Sequence, residues 1–227
     1  MPNHVATNLI ITGPTADVRR FVTAVDRSKV VNEGKTFAFD GVVPMPEELH
    51  GTTSPVRIQT QAEIDKLWAD YNQQKEAGTL KEWQLQEGRP WGLGITQEAS
   101  NALIAKYGTN NWYDWANRNW GTKWGAYDST EWVIVEGENG NATATISYNT
   151  AWSPATPFYE RASALFPTLT FDTEYADEGG GFVCETSYVN GEVTEDHEYD
   201  WDDDDGVRVR KAVGYWYDED EDTDDNE

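Results

Sequence analysis

Two observations predict the fold class: segments arranged as strand, helix, strand, strand, helix, strand, and Asn/Gly turn signatures between paired strand segments. Together they predict an α+β protein with the split βαβ antiparallel sheet of ferredoxin-like folds. The chain adds a helical, Trp-rich insertion at about residues 35–127 and a C-terminal β-hairpin extension at about 181–217. Residues 1–217 are expected to form a single elaborated domain, followed by a disordered acidic tail at 218–227.

His4 to Thr12 reads as a strand, ended by the breaker pair Gly13-Pro14. Thr15 or Asp17 can cap a helix to about Arg27, because Val18, Phe21, Val22 and Val25 follow a helical period. Phe37 to Val43 reads as extended, and Pro44-Met45-Pro46 ends it. Gln61 to Ala77 places Ile64, Leu67, Trp68 and Tyr71 on one helical face, with Gly78 as the stop. Thr96 caps a further helix to Tyr107, closed by Gly108, whereas residues 111–127 fit no simple period.

The second half is more regular. Trp132 to Glu136 and Ala142 to Tyr148 flank Gly137-Glu138-Asn139-Gly140-Asn141, a hairpin signature. Ser153-Pro154 opens a helix to about Phe166, and Pro167 closes it. Thr168 to Tyr175 is a strand, and Phe182 to Val189 and Glu192 to Trp201 flank a second turn at Asn190-Gly191. Val207 to Tyr217 reads as a returning strand after the loop 202–206.

Composition narrows the function. Lys and Arg number 17 against 41 Asp and Glu among 227 residues, a net charge of −24. Such a chain repels phosphate backbones and anionic lipid, so no direct nucleic-acid binding and no membrane adsorption are expected. No apolar run approaches the roughly 18–20 residues of a membrane span. The start, Met1-Pro2-Asn3-His4, lacks a secretory signal. Cys184 is the single cysteine, which excludes an internal disulfide and a cysteine-built zinc cluster. A cytoplasmic location is the expectation. Hydrophobic residues reach only 38%, but 11 Trp, 11 Tyr and 7 Phe supply core-forming surface.

Several stretches carry a family resemblance: Met1-Pro2-Asn3-His4-Val5 with Leu9-Ile10-Ile11-Thr12-Gly13; Val43-Pro44-Met45-Pro46-Glu47-Glu48-Leu49; Trp120-Gly121-Thr122-Lys123-Trp124-Gly125-Ala126-Tyr127-Asp128; and Thr150-Ala151-Trp152-Ser153-Pro154 leading to Leu165-Phe166-Pro167. Over roughly residues 1–190 the chain resembles the YubB-type ferredoxin-like family encoded by bacteriophages and conjugative plasmids. Gly125 stands where that family usually has Asn, and the acidic end beyond Tyr199 is not a family trait. The resemblance implies the fold, a mobile-element origin and residence in a host bacterial cytosol. It implies no catalytic residues.

Catalytic patterns mostly fail. Gly34-Lys35-Thr36 ends like a phosphate-binding loop, but Lys29 occupies the position of its first glycine. Glu33-Gly34-Lys35 would need a converging carboxylate such as Asp17 to resemble half of a nuclease site, and it reads better as a polar loop. His4, His50 and His197 have no zinc-ligand spacing. Aligning Gly206 with the glycine of a calcium loop puts Trp201 first and Ala212 last, so that motif fails too. No cofactor and no metal are expected, and catalysis is disfavoured without being excluded. Cys184, beside Phe182 and Val183, reads as a small buried residue.

Two regions are left as sites. Trp112, Trp115, Trp120 and Trp124 lie close together beside Tyr113 and Tyr127. They are either core glue or a stacking platform, and the platform would use Trp120, Trp124, Lys123, Arg118 and Asp128 for a small ligand or a nucleic acid. The stronger feature is charge. Residues 174–227 hold 21 acids and 3 bases, a net of −18 out of −24. Glu192, Asp196, Glu198, Asp200 and Asp202 occupy even positions and would share one face of a strand, about 6.5–7 Å apart, near the phosphate spacing of a DNA strand. Pairing of Asp200 with Arg208 and of Glu198 with Arg210 across a hairpin would neutralise the middle of that row. Glu192, Asp196, Asp202, Asp203, Asp204 and Asp205, with Asp218, Glu219 and Asp220 in the tail, would then stay unpaired. The leading expectation is a nonenzymatic mobile-element protein that binds a basic host protein through this surface, as a DNA-mimic inhibitor of a defence nuclease of restriction or CRISPR type.

Overall fold

The computed structural model describes residues 3–31 and 33–215. Asp218, Glu219, Asp220 and the rest of the expected tail lie outside the described residues. The chain divides into two compact units, one made of Met1–Pro44 with Asn117–Glu227 and the other of Met45–Ala116. The second unit lies within the expected insertion at about 35–127.

The first unit starts with strand β1 (His4–Pro14) and helix α1 (Thr15–Val25). The second unit carries helices α2 (Glu47–His50), α3 (Gln61–Glu76), α4 (Glu82–Glu87) and α5 (Gln97–Tyr107). Helix α6 (Trp112–Asn119) runs across the boundary. The first unit then resumes with β2 (Val133–Glu136), β3 (Asn141–Ala151), α7 (Thr156–Leu165), β4 (Thr170–Asp177), β5 (Val183–Val189), β6 (Glu192–Glu198) and α8 (Asp204–Ala212).

The six strands form one antiparallel sheet in the order β2-β3-β1-β4-β5-β6. The first four give the ferredoxin-like arrangement, and β5 and β6 extend it by one hairpin. Alternation decides which face is buried. Leu9, Ile11, Ile146, Tyr148, Phe171 and Tyr188 point to the same side and are at most 3% exposed. Helices α1 and α7 cover that side. Phe21 of α1 meets Phe171 edge-on at 5.1 Å, and Tyr159 of α7 lies 5.1 Å from Tyr188. Such aromatic pairs add about 0.5–1.5 kcal/mol each to their area burial.

The opposite face is polar, with Asn8, Asp172, Glu174, Glu185 and Ser187. Helix α8 covers one end of it, where Val209 packs with Ala176 and Val183 beneath Trp201 and Tyr199.

Two segments differ from the sequence expectation. Residues 37–43 do not form a strand; Phe39–Gly41 makes a 3-10 turn. Phe37 and Phe39 both enter the core, and Phe39 stacks on Phe158 at 4.3 Å, so tertiary packing overrides the local extended preference. Residues 207–215 do not return as a strand either, since Asp204–Ala212 is helical, and the last two residues of the expected strand lie outside the described residues. The alternation Val207-Arg208-Val209-Arg210 mimics a strand, but the helix is set by its ends. Asp203 accepts the Gly206 amide as N-cap, Asp204 and Asp205 lie at the positive end of the helix dipole, and Arg210 and Lys211 lie at the negative end.

The second unit is organised locally. Thr60 and Glu63 cap α3 reciprocally, Thr52 accepts the Trp112 amide, and Lys106 and Tyr107 both reach Glu48. Helices α2 and α4 are too short to show a period and were not expected from the sequence.

Candidate functional site

The acidic surface is built on the hairpin β5–β6. Asn190 and Gly191 take φ of 50° and 85°, the two-residue turn their types favour. A bulge follows, because Tyr188 pairs with Val193 while Ser187 pairs with Glu195. The extra residue, Thr194, shifts the face of everything after it. Asp196 and Glu198 consequently share the side of Val193, whereas Glu192 sits with Glu195 and His197 on the other side. The expected single row of even-numbered acids is therefore not formed. Edge strand β6 is exposed at all seven positions, with acids on both faces.

The expected ion pairs are also replaced. With 204–212 helical, Arg208 does not face Asp200, nor Arg210 Glu198. Arg208 instead reaches across the polar sheet face to Glu185 at 2.7 Å and Glu174 at 3.2 Å, with Asp205 at 3.4 Å. Tyr199 donates to Glu185 at 2.7 Å. Partial burial alone would raise the Glu185 pKa, but the bonds from Arg208 and Tyr199 hold it below its ordinary value. The same bond pushes the Tyr199 phenol up to about 12. Arg210 lies 4.7 Å over the Trp201 ring and 3.9 Å from Asp202.

These contacts sort the candidate acids. Asp203 is occupied as a helix cap, Asp205 is paired, and Asp202 stays 92% exposed with one distant cation. Asp204 has no partner among the described residues. Asp196 accepts a hydrogen bond from Thr186, and the carboxylates of Glu192, Glu195 and Glu198 have neither a hydrogen bond nor an ion pair among the described residues. Glu195 was not singled out from the sequence, because the bulge that makes it a neighbour of Glu192 is a property of strand pairing.

The Trp-rich stretch resolves into parts. Trp112 and Trp115 belong to the second unit, while Trp120 and Trp124 belong to the first. Trp120 is 9% exposed and its indole N–H donates to the Val43 carbonyl at 2.9 Å. It is a core residue, not part of a platform. Trp124 is 37% exposed, with the Lys123 ammonium 4.5 Å over its ring. Arg118 and Asp128 are exposed and make no hydrogen bond or ion pair among the described residues.

The segment that follows Trp120 is fastened to the β3–α7 connection. The Thr122 hydroxyl donates to the Ala151 carbonyl at 3.0 Å, Ser153 donates to the Gly121 carbonyl, and Thr150 donates to the Ser153 carbonyl at 2.7 Å. Tyr127 donates to the Thr150 carbonyl, and His4 Nδ1 lies 2.7 Å from its hydroxyl. The two motifs that look most distinctive in sequence thus interlock as a structural clasp. Burial pushes the Cys184 thiol up to about 11, away from nucleophile chemistry.

With the sheet and the clasp established, the class of protein follows: an α+β protein carrying a ferredoxin-like domain. Residues 119–225 match the family model described as the ferredoxin-like domain in Api92-like protein. Among solved structures the chain is similar to the crystal structure of a protein api92 from Yersinia pseudotuberculosis, at 12% identity, covering 88% of this chain and 98% of that one, with a TM-score of 0.40. No curated protein matches the chain. Among the described residues, no group of three His, Cys, Asp or Glu side chains could hold a metal ion, and no helix is long and apolar enough to cross a membrane.

Proposed function

We propose that the chain is a nonenzymatic binding protein that engages a basic host protein through its acidic edge, formed by β6 and the start of α8. One observation carries this reading: Glu192, Glu195, Asp196 and Glu198 stand on a fully exposed edge strand, and none of them pairs with a cation among the described residues. Carboxylates on both faces of an edge project a field outward along it. A cationic partner would be steered to it quickly, and salt would weaken the encounter.

The partner class that fits is an enzyme with a basic cleft for DNA, such as a defence nuclease. A phage or plasmid accessory protein of YubB type, acting in the host cytosol, is the setting proposed. Because the acids alternate between faces, any imitation of DNA rests on charge density and not on a phosphate-like row. A second reading, a small-ligand or nucleic-acid module, is supported by the exposed Lys123–Trp124 stack but loses Trp120 to the core.

The test is a pull-down from bacterial host lysate with the full chain, at several salt concentrations. A basic protein captured at low salt, released at high salt, and lost in the combined variant Glu192→Gln, Glu195→Gln, Asp196→Asn, Glu198→Gln supports the reading. Capture that ignores both the salt and the substitutions rejects it.

A further inference from the structure

The second unit exposes two indoles beside each other. Helix α4 ends at Gly88, whose φ of 67° is left-handed and turns the chain sharply. The turn brings Trp91 back against Trp83, ring centroids 5.5 Å apart and planes at 86°. Trp91 is 75% exposed and Trp83 43%. Indole rings are costly to leave in water, and exposed apolar surface rimmed by polar groups is a mark of ligand-binding grooves.

The two rings are walls of a cavity of about 190 Å³, which Arg57, Arg89 and Glu87 also line. Both guanidiniums are anchored to backbone: Arg57 donates to the Gly92 carbonyl at 2.9 Å, and Arg89 donates to the Gly51 carbonyl. Glu87 lies 3.6 Å from Arg89 and offsets its charge. Arg57 has no carboxylate partner among the described residues. The cup therefore holds two fixed cations against one anion, a local excess of positive charge within a chain of net charge −24.

We propose that this cup binds a small ligand consisting of one flat ring system with a single negative group, of the aromatic carboxylate class. The volume lies below the roughly 300–1,000 Å³ of sites for drug-sized molecules, which limits the occupant to one ring system. Its ring would stack on Trp91 and meet Trp83 edge-on, and its anion would take the free donors of Arg57. The site is separate from the acidic edge and does not depend on the function proposed above.

The probe is indole-3-acetate, compared with neutral indole, in ligand-observed saturation-transfer NMR on the full chain. The wild type is expected to bind indole-3-acetate in preference to indole. Trp91→Ala, a substitution at an exposed position, should weaken binding of both by at least about tenfold. Arg57→Gln should abolish the preference while leaving indole bound, and Arg57→Lys should restore part of it; circular dichroism confirms that each variant is folded. Absence of transfer from indole-3-acetate at millimolar concentration, or binding unchanged in Trp91→Ala, overturns the proposal. So does an intact preference in Arg57→Gln.

Discussion

A guanidinium nitrogen of Arg208 lies 2.7 Å from a carboxylate oxygen of Glu185, joining the last helix to the polar face of the sheet. This contact takes Arg208 away from the edge strand, where pairing in a hairpin would have put it. The acids of β6 are left uncompensated as a consequence, so the fold itself sets the charge on that edge.

That pair predicts a pH effect. Glu185 is held below its ordinary value of 4.5, so the unfolded chain binds its proton more tightly than the folded one. The stabilisation is complete above the unfolded value and is lost as pH falls through the folded one. Arg208→Gln should raise the Glu185 pKa, read by NMR titration, and cost about 1 kcal/mol at neutral pH, given a half-exposed pair. An unmoved Glu185 titration would show that the contact is not made in solution.

Asp203 should be worth more than its charge suggests. Asp203→Ala removes the cap of α8 and should destabilise the protein by about 1 kcal/mol, whereas Asp204→Ala, one residue inside the helix, should cost less. Urea denaturation of the two variants compares them directly. Equal effects would argue that α8 starts elsewhere.

The two tryptophans of the Trp-Gly-Thr-Lys-Trp motif should separate cleanly. Trp120→Ala empties a core position and should cost about 3–5 kcal/mol. Trp124→Ala should cost far less, because over a third of that residue faces solvent and its ring contacts are Lys123 above it and Tyr127 at 6.5 Å. Thermal melts decide it; similar losses would place Trp124 in the core as well.

Gly121 should tolerate no side chain. Its φ is +82°, and a Cβ there would collide with Pro157 and crowd the Pro154 carbonyl at 3.0 Å. Gly121→Ala should lose about 1–3 kcal/mol from backbone strain alone, with the clash adding to it. A melting temperature equal to wild type would mean that the clasp opens without cost.

Cys184 should react slowly. It is 7% exposed beside Val5 and Tyr175, and its thiol is pushed up to about 11 by burial. Alkylation by iodoacetamide at neutral pH should proceed only as fast as the protein opens, and denaturant should accelerate it steeply. Rapid labelling of the native chain would contradict this burial.

Much of the fold is legible in the sequence. The periods of β1, α1, β3 and α7 are clear in the sequence because each element buries one regular stripe against a neighbour, whereas α3 and α5 are marked by their Thr caps and closing glycines. Asn190-Gly191 announced its hairpin through the backbone those residue types allow. The misreadings have equally specific causes. Val207 to Arg210 alternates like a strand, but its capping Asp203 and the distribution of charge at its two ends make a helix. Phe37 and Phe39 look extended in isolation and are drawn into the core by Tyr148 and Phe158.

For the candidate sites the division is sharper. The sequence alone determined how many carboxylates gather near the C-terminus, that cations there are few, and that strands and helices follow one another as in a ferredoxin-like fold, since composition and hydrophobic period are local properties of the chain. Only the tertiary structure decided which acids are neighbours, which Trp is core and where two indoles meet. A bulge of one residue exchanges the faces of a strand, and a change from strand to helix redirects every arginine on it. Both depend on pairing between segments distant in the chain, which no local pattern encodes.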